Sequence, residues 1–210
     1  MKNLIIIGAR GWGREVLWSL SGRAKAGEFT IKGFLDSDSH ALDGLIGEFP
    51  PILGSVEDYE VQPDDIFFCA MGNPIYRRKY AEIIEAKGAR FYTFVSKQAF
   101  VSPNATIGEG SFVAANTTIS DNVVIGKQAM VHGLCTLGHD VKIGDYVSIE
   151  AYCFFGGYSS VGNNSSIHVR STIIAHKSVG VNASVGAGSV VIRNVKDGVH
   201  VFGNPATKIN

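Results

Sequence analysis

The sequence carries no surplus of charge: 19 basic residues stand against 19 acidic ones. That balance excludes the basic footprint of a nucleic-acid or anionic-membrane binder. Cysteine is scarce, with three in 210 residues. An odd number in no metal-ligand spacing points to reduced thiols and a cytoplasmic setting. Long apolar runs are missing from the start of the chain. Leu4-Ile5-Ile6-Ile7 is too short for a signal peptide or a membrane span. At 45% hydrophobic and 18% charged residues, the composition is that of a globular protein with a sizeable core, in one large domain or two small ones.

What the sequence does contain is a repeat. Every sixth residue from Val101 to Val191 is apolar, through Ile107, Val113, Ile119, Ile125 and onward. Four residues after each, the chain is almost always small, as at Ala105, Ser111, Ala129, Cys135, Cys153 and Ser165, with Lys177 the one large exception. Gly often follows the aliphatic residue, as in Ile107-Gly108 and Ile143-Gly144. A hexapeptide period marks a parallel β-helix whose strands turn a corner every sixth residue. The aliphatic side chain fills a narrow prism, the small one leaves room for it, and Gly or Asn is expected at the tight turn. Three hexads close a coil, so residues 18 apart stack at about the 4.8 Å strand spacing. The tail from Val199 to Ala206 is expected to cap the open end.

Residues 1–95 read differently. Leu4–Ile7 is a buried strand, followed by Gly8-Ala9-Arg10-Gly11-Trp12-Gly13 and a helical pattern through Leu20. Strand, glycine loop and helix together present backbone N–H groups and a positive helix end to a phosphate. The spacing is G-x-x-G-x-G, not the G-x-G-x-x-G of dinucleotide sites. A second strand, Phe29–Leu35, ends in Asp36-Ser37, and an acidic residue there commonly meets a ribose or base. Ile52–Ser55 reads as a short strand and turn, 65–70 as a strand, Asn73-Pro74 as a helix start, and Phe91–Val95 as a last strand. The expectation is a small Rossmann-like α/β domain at 1–95 and a β-helix domain at 96–210.

This arrangement, ending in Phe-Gly-Asn-Pro-Ala-x-Lys, resembles the bacterial hexapeptide-repeat sugar acetyltransferases. These are the sialic acid O-acetyltransferase type and the N-acetyltransferases of UDP- or GDP-linked amino sugars. The resemblance covers essentially the whole chain. It implies a left-handed prism, a homotrimer, acetyl-CoA as co-substrate without a metal, and a nucleotide sugar or sialic-acid-type sugar held by the N-terminal domain. The family motif [DN]-H-[DE]-x-x-I-G-[DE] corresponds to Gly138-His139-Asp140-Val141-Lys142-Ile143-Gly144-Asp145. It assigns His139 as general base and Asp140 as its supporting carboxylate. Attack on a thioester needs a proton acceptor near neutral pH, and histidine supplies one.

By family position, Ser148, Val169 and Ala187 are expected to contact acetyl-CoA. Gly157 and Ala175, stacked beside His139, are expected to leave room for the thioester and to aim backbone N–H groups at its oxygen. Arg10, Gly11, Trp12, Asp36, Ser37 and Gly54 match the nucleotide-sugar contacts. The chain departs from the family pattern at Arg10 and Trp12, where the loop usually reads G-x-G-G-H-G. It departs again at His132, which stands in place of an Asn, and at Ser148, where some relatives have His.

Two other readings stand beside this one. The enzyme could acylate another small amine or hydroxyl, with the α/β domain merely structural. The prism could instead be a γ-carbonic-anhydrase-like metal or scaffold trimer, because His132, Glu150 and His168 fall 18 apart on one outer face. His176 stacks near the proposed base without an assigned role.

Overall fold

The structure, a computed structural model, describes residues 1–209. It divides into two compact units, Met1–Tyr92 and Thr93–Asn210. Among the described residues no helix is long and apolar enough to cross a membrane.

The first unit is a four-stranded parallel sheet built from β1 (Asn3–Ile7), β2 (Thr30–Leu35), β3 (Asp65–Cys69) and β4 (Arg90–Phe91), in the order β2-β1-β3-β4. Two helices cover it, α1 (Gly11–Lys25) on β1 and β2 and α2 (Pro74–Ala86) on β3. Leu4 to Ile7 are all buried, as a central parallel strand requires. Gly8 has φ +95°, which lets the chain reverse directly from β1 toward α1. Gly13 is needed for another reason, since a Cβ there would overlap the Gly8 carbonyl oxygen. Asn73 caps α2 by accepting from Ile75 N–H at 2.9 Å, and Pro74 occupies the first helical turn. Ile52 forms a parallel bridge to Phe34 beyond β2.

The run 91–95 is not one strand. Phe91 pairs with Phe67 in the first unit, and Phe94–Val95 (β5) pairs with Phe112–Val113 in the second. Tyr92 and Thr93 break the pairing between them.

The second unit is a parallel β-helix of two-residue strands in three sheets, with Cα partners 18 residues apart, such as Met130↔Phe112 and Val131↔Ile149. The interior column Val113, Ile119, Val131, Leu137, Ile149, Phe155, Ile167 and Ile173 is completely buried. The small residues do more than leave space. Ser111, Thr117, Ser165 and Ser171 donate to the carbonyls of Gly126, His132, Gly180 and Gly186 at 2.8, 3.1, 2.7 and 3.0 Å. Each satisfies a corner carbonyl that the strands leave unpaired.

The corners correct one expectation. The left-handed conformation falls three residues after the aliphatic one; Asn116, Asn164, Gly110 and Gly188 hold it as expected, with φ of 58°, 59°, 74° and 68°, but so do larger residues, among them Leu134, Asp140, Tyr158 and His176, with φ of 63°, 60°, 60° and 61°. The glycine that follows the aliphatic residue has a different job. A Cβ on Gly108 would lie 2.5 Å from the Gly126 carbonyl carbon, and one on Gly162 would lie 2.7 Å from that of Gly180. Close stacking of coils, not a left-handed turn, excludes a side chain there. At the far end His200–Phe202 pairs parallel with Ser184–Val185 and antiparallel with Thr207–Lys208, which covers the last coil.

Candidate active site

Leu137 points into the prism, Gly138 lets the next coil approach, and the chain then turns outward at His139 and Asp140. His139 Nδ1 lies 2.9 Å from Asp140 Oδ2. Asp140 Oδ1 in turn accepts from the Asn122 amide at 2.6 Å. Those two bonds, Asn122 first and His139 second, hold the Asp140 carboxyl below the usual carboxylate range. An anionic acceptor on Nδ1 assigns the ring proton to that nitrogen and leaves the Nε2 lone pair directed away from the carboxylate. The His139 side chain is 60% exposed, so a ligand can reach it.

Gly157 is the seat of the imidazole. A Cβ there would stand 2.7 Å from both Cε1 and Nε2 of His139. The Tyr158 ring meets His139 edge-on, with centroids 5.1 Å apart and planes at 85°, and stacks in parallel on His176. On the corner that follows Val124–Ile125, Lys142–Ile143 and Ser178–Val179, three backbone N–H groups at the equivalent turn position are capped by side chains. Lys127 N–H donates to Asp145, Asp145 N–H to Asn163, and Val181 N–H to Asp197, at 2.8, 2.9 and 2.8 Å. On the His139 corner, Gly157 and Ala175 carry no polar side chain to act as such a cap. Among the described residues the N–H groups of Gly157 and Ala175 have no hydrogen-bond partner. An open donor, the Gly157 N–H, thus lies on the coil that seats the base, and a second, the Ala175 N–H, on the coil after it.

Ser148, Val169 and Ala187 are not brought to this corner. Ser148 lies on the outer face of the sheet that contains Ser166 and Ser184, and Val169 and Ala187 lie on the corner that follows that sheet. The Val169 N–H donates to Glu150 Oε2 at 2.9 Å, and His168 Nδ1 sits 3.0 Å from Glu150 Oε1. The His132, Glu150 and His168 column is therefore held by an acid–imidazole contact and a capped backbone amide. Among the described residues no group of three or more His, Cys, Asp or Glu side chains could hold a metal ion. The thiols are interior. Cys69 is pushed up to about 12 by burial. Contact with Cys135, together with burial, also pushes the Cys153 thiol up.

In the first unit a cavity of about 300 Å³ opens at the C-terminal ends of β1, β2 and β3. This is the point where connections from neighbouring strands leave in opposite directions, the usual crevice for a ligand in an open α/β sheet. Arg10, Trp12, Asp36 and Ser37 line it, as do Glu57 and Met71, which the sequence did not single out. Gly11 and Gly54 stand outside its lining. The N-cap residue of α1, Arg10, makes no side-chain cap, and the positive end of the helix favours an anion there. Asp36 serves as a brace as well as a wall. Its Oδ2 accepts from Ala9 N–H at 2.9 Å and its Oδ1 from Asp38 N–H at 3.1 Å. Asp36 N–H donates to the Gly54 carbonyl at 2.9 Å. Arg10 reaches Asp38 in an exposed pair at 3.2 Å, a contact weak enough to yield to a ligand.

Residues 3–84 match the family described as the PglD N-terminal domain, and residues 122–157 match the bacterial transferase hexapeptide (six repeats). The chain is 29% identical over 114 residues to a UDP-N-acetylbacillosamine N-acetyltransferase of Bacillus subtilis (strain 168), a stretch covering 54% of this chain and 51% of the relative. The matched stretch thus spans about half of that protein's length. Solved structures match over nearly the whole chain, and two serve as examples. One is a mutant perosamine N-acetyltransferase from Caulobacter crescentus in complex with CoA and GDP-perosamine, at TM-score 0.89 and 26% identity, covering 100% of this chain and 98% of that one. The other is the acetyltransferase domain of PglB from Neisseria gonorrhoeae FA1090 in complex with acetyl coenzyme A, at TM-score 0.77 and 28% identity, covering 99% of both chains.

Proposed function

We propose that this chain, which joins a PglD N-terminal domain to bacterial-transferase hexapeptides, is a hexapeptide-repeat acyltransferase that moves the acetyl group of acetyl-CoA onto the amino group of a nucleotide-linked sugar. The observation that carries this reading is the His139 corner. An imidazole held by a carboxylate through Nδ1 is seated on Gly157, and the N–H groups of Gly157 and of Ala175 on the following coil are open. Nε2 takes a proton from the sugar amine as the nitrogen attacks the thioester carbonyl. The N–H groups of Gly157 and Ala175 face the developing oxyanion. Collapse breaks the carbon–sulfur bond, the amide forms, and the imidazolium returns its proton to the departing CoA thiolate. No covalent enzyme intermediate is needed. The relatives' nucleotides, a UDP-linked and a GDP-linked sugar, support a nucleotide in the N-terminal cavity, with the diphosphate on the glycine loop and α1. Three unpaired, buried thiols fit a reducing cytoplasmic setting.

The two corners also support a homotrimer. His139, Gly157 and Ala175 lie on one corner of the prism, while Val169 and Ala187 lie on another. A single cofactor can meet both sets only if a second copy supplies one of them. Light scattering should give three times the chain mass, and a stable monomer with full activity would contradict the shared site.

Calorimetry tests the reading directly. CoA and either UDP or GDP are each expected to bind, and a chain that binds neither is not this transferase. Asp36→Ala should raise KM for the nucleotide sugar while leaving KM for acetyl-CoA near normal, because Asp36 braces only the N-terminal cavity. A loss of acetyl-CoA affinity instead would mean that the two ligands are assigned to the wrong units.

A further inference from the structure

We infer that α2 is the element that sets the shape of the N-terminal cavity, with Arg77 and Lys87 as positioning residues that hold two of its loop walls, the segments 71–72 and 56–59, by their carbonyl oxygens. The inference rests on the reading of that cavity as the nucleotide site.

Neither wall is part of the sheet. Met71 and Gly72 follow the end of β3, and Val56 and Glu57 belong to the connection between Ile52 and β3; all four line the cavity. Loops of this kind keep a fixed shape only where something outside them satisfies their backbone groups. Arg77, in the second turn of α2, is completely buried. Its Nη1 donates to Met71 O at 2.8 Å and to Gly72 O at 3.2 Å. A guanidinium is costly to bury, so its place beneath these two carbonyls specifies the wall strongly.

Lys87, the residue at the C-terminal cap of α2, does the same for the other wall. Its ammonium has three donors, and all three are spent on carbonyls, Val56 O at 2.9 Å, Glu57 O at 2.6 Å and Tyr59 O at 2.9 Å. The Tyr59 side chain is anchored separately, with its hydroxyl 2.7 Å from Lys32 Nζ and 2.8 Å from Asp65 Oδ2. That second anchor fixes the far end of the segment. Lys87 is what holds the Val56 and Glu57 end, the part that faces the cavity. Lys79 also reaches this wall, but through an exposed pair with the Glu57 carboxylate at 3.2 Å, and such pairs contribute little.

The test uses Lys87→Met, because Lys87 is exposed and its loss leaves the core intact, with Lys87→Arg as the conservative variant and Lys79→Met as the control. UDP and GDP are titrated into each protein by calorimetry, and amide exchange is followed at 56–59. Lys87→Met should weaken binding of whichever nucleotide the wild type takes by about tenfold, speed exchange at 56–59, and leave CoA affinity and the melting temperature nearly unchanged. Lys87→Arg should restore most of the affinity, and Lys79→Met should change it less than twofold. In turnover the effect should fall on KM for the nucleotide sugar and not on kcat. Unchanged nucleotide affinity in Lys87→Met overturns the inference whatever exchange shows, and leaves the cavity reading standing. A loss that Lys87→Arg does not restore, or one that comes with global unfolding or equal loss of CoA binding, overturns it as well. A wild-type chain that binds neither UDP nor GDP removes the cavity reading and this inference with it.

Discussion

His139→Ala should lower kcat by about 10²–10⁴-fold, the usual range for removing a positioned proton acceptor. Steady-state turnover checks it, together with CoA titrations that should show nearly wild-type affinity. The contrast follows from the geometry. His139 offers Nε2 to the reacting amine, whereas the donors proposed for the thioester oxygen are backbone groups of Gly157 and Ala175 that the substitution leaves in place. Asp140→Ala should cost less, roughly tenfold, because the carboxylate orients the ring without replacing it. His132→Ala, His168→Ala and His176→Ala are the comparisons. His168 is engaged with Glu150 on another corner, and His176 stacks on Tyr158 instead of facing the base. Should one of these abolish turnover while His139→Ala stays active, the base has been misplaced.

Gly157→Ala should lower kcat by about 10²-fold, since a shift of roughly 1 Å in a reacting group costs that much. The added methyl would stand 2.7 Å from Cε1 and Nε2 of His139, so the ring must leave its seat. Gly157 has no positive φ, so alanine meets no backbone strain there. The melting temperature should therefore hold while activity falls, a combination that separates a displaced base from a damaged fold. Ala175→Gly removes a methyl on the next coil and should change kcat little. An active Gly157→Ala would show that the imidazole has another productive position.

The repeat was legible because each interior position recurs every sixth residue, and one polar residue in the column would have exposed a wrong register. Val113 through Val191 stand in the core as that count requires. The reasons for the glycines were less legible. A glycine in a turn suggests a left-handed backbone, yet here the left-handed position tolerates Asn, Tyr, Leu and Asp, and it is the gap between coils that excludes a side chain at Gly108 and Gly162. Gly157 has a role that the sequence did not show, since its missing side chain also makes room for the His139 ring. Asn122 was missed although the signal was present, because counting 18 residues back from Asp140 reaches it.

In the first unit, strand and glycine loop marked the cavity, and Asp36 at the end of β2 marked its wall. Asp36 also braces Ala9 and Asp38, a task that spacing alone does not reveal. The cation–carbonyl contacts of Arg77 and Lys87 join segments distant in sequence, and no local pattern encodes them. The division of 91–95 has a similar cause. Phe91 and Phe94 read as one apolar run, but their partners, Phe67 and Phe112, belong to different sheets.

The central claim is tested most directly by thiol release from acetyl-CoA across a panel of UDP- and GDP-linked amino sugars, with wild type and His139→Ala measured side by side. The account predicts that at least one amino sugar triggers stoichiometric CoA release and becomes acetylated on its amine. It also predicts that the corresponding hydroxyl sugar is inert and that the rate collapses in His139→Ala. Release that needs no amino sugar, or that persists undiminished without His139, would contradict it.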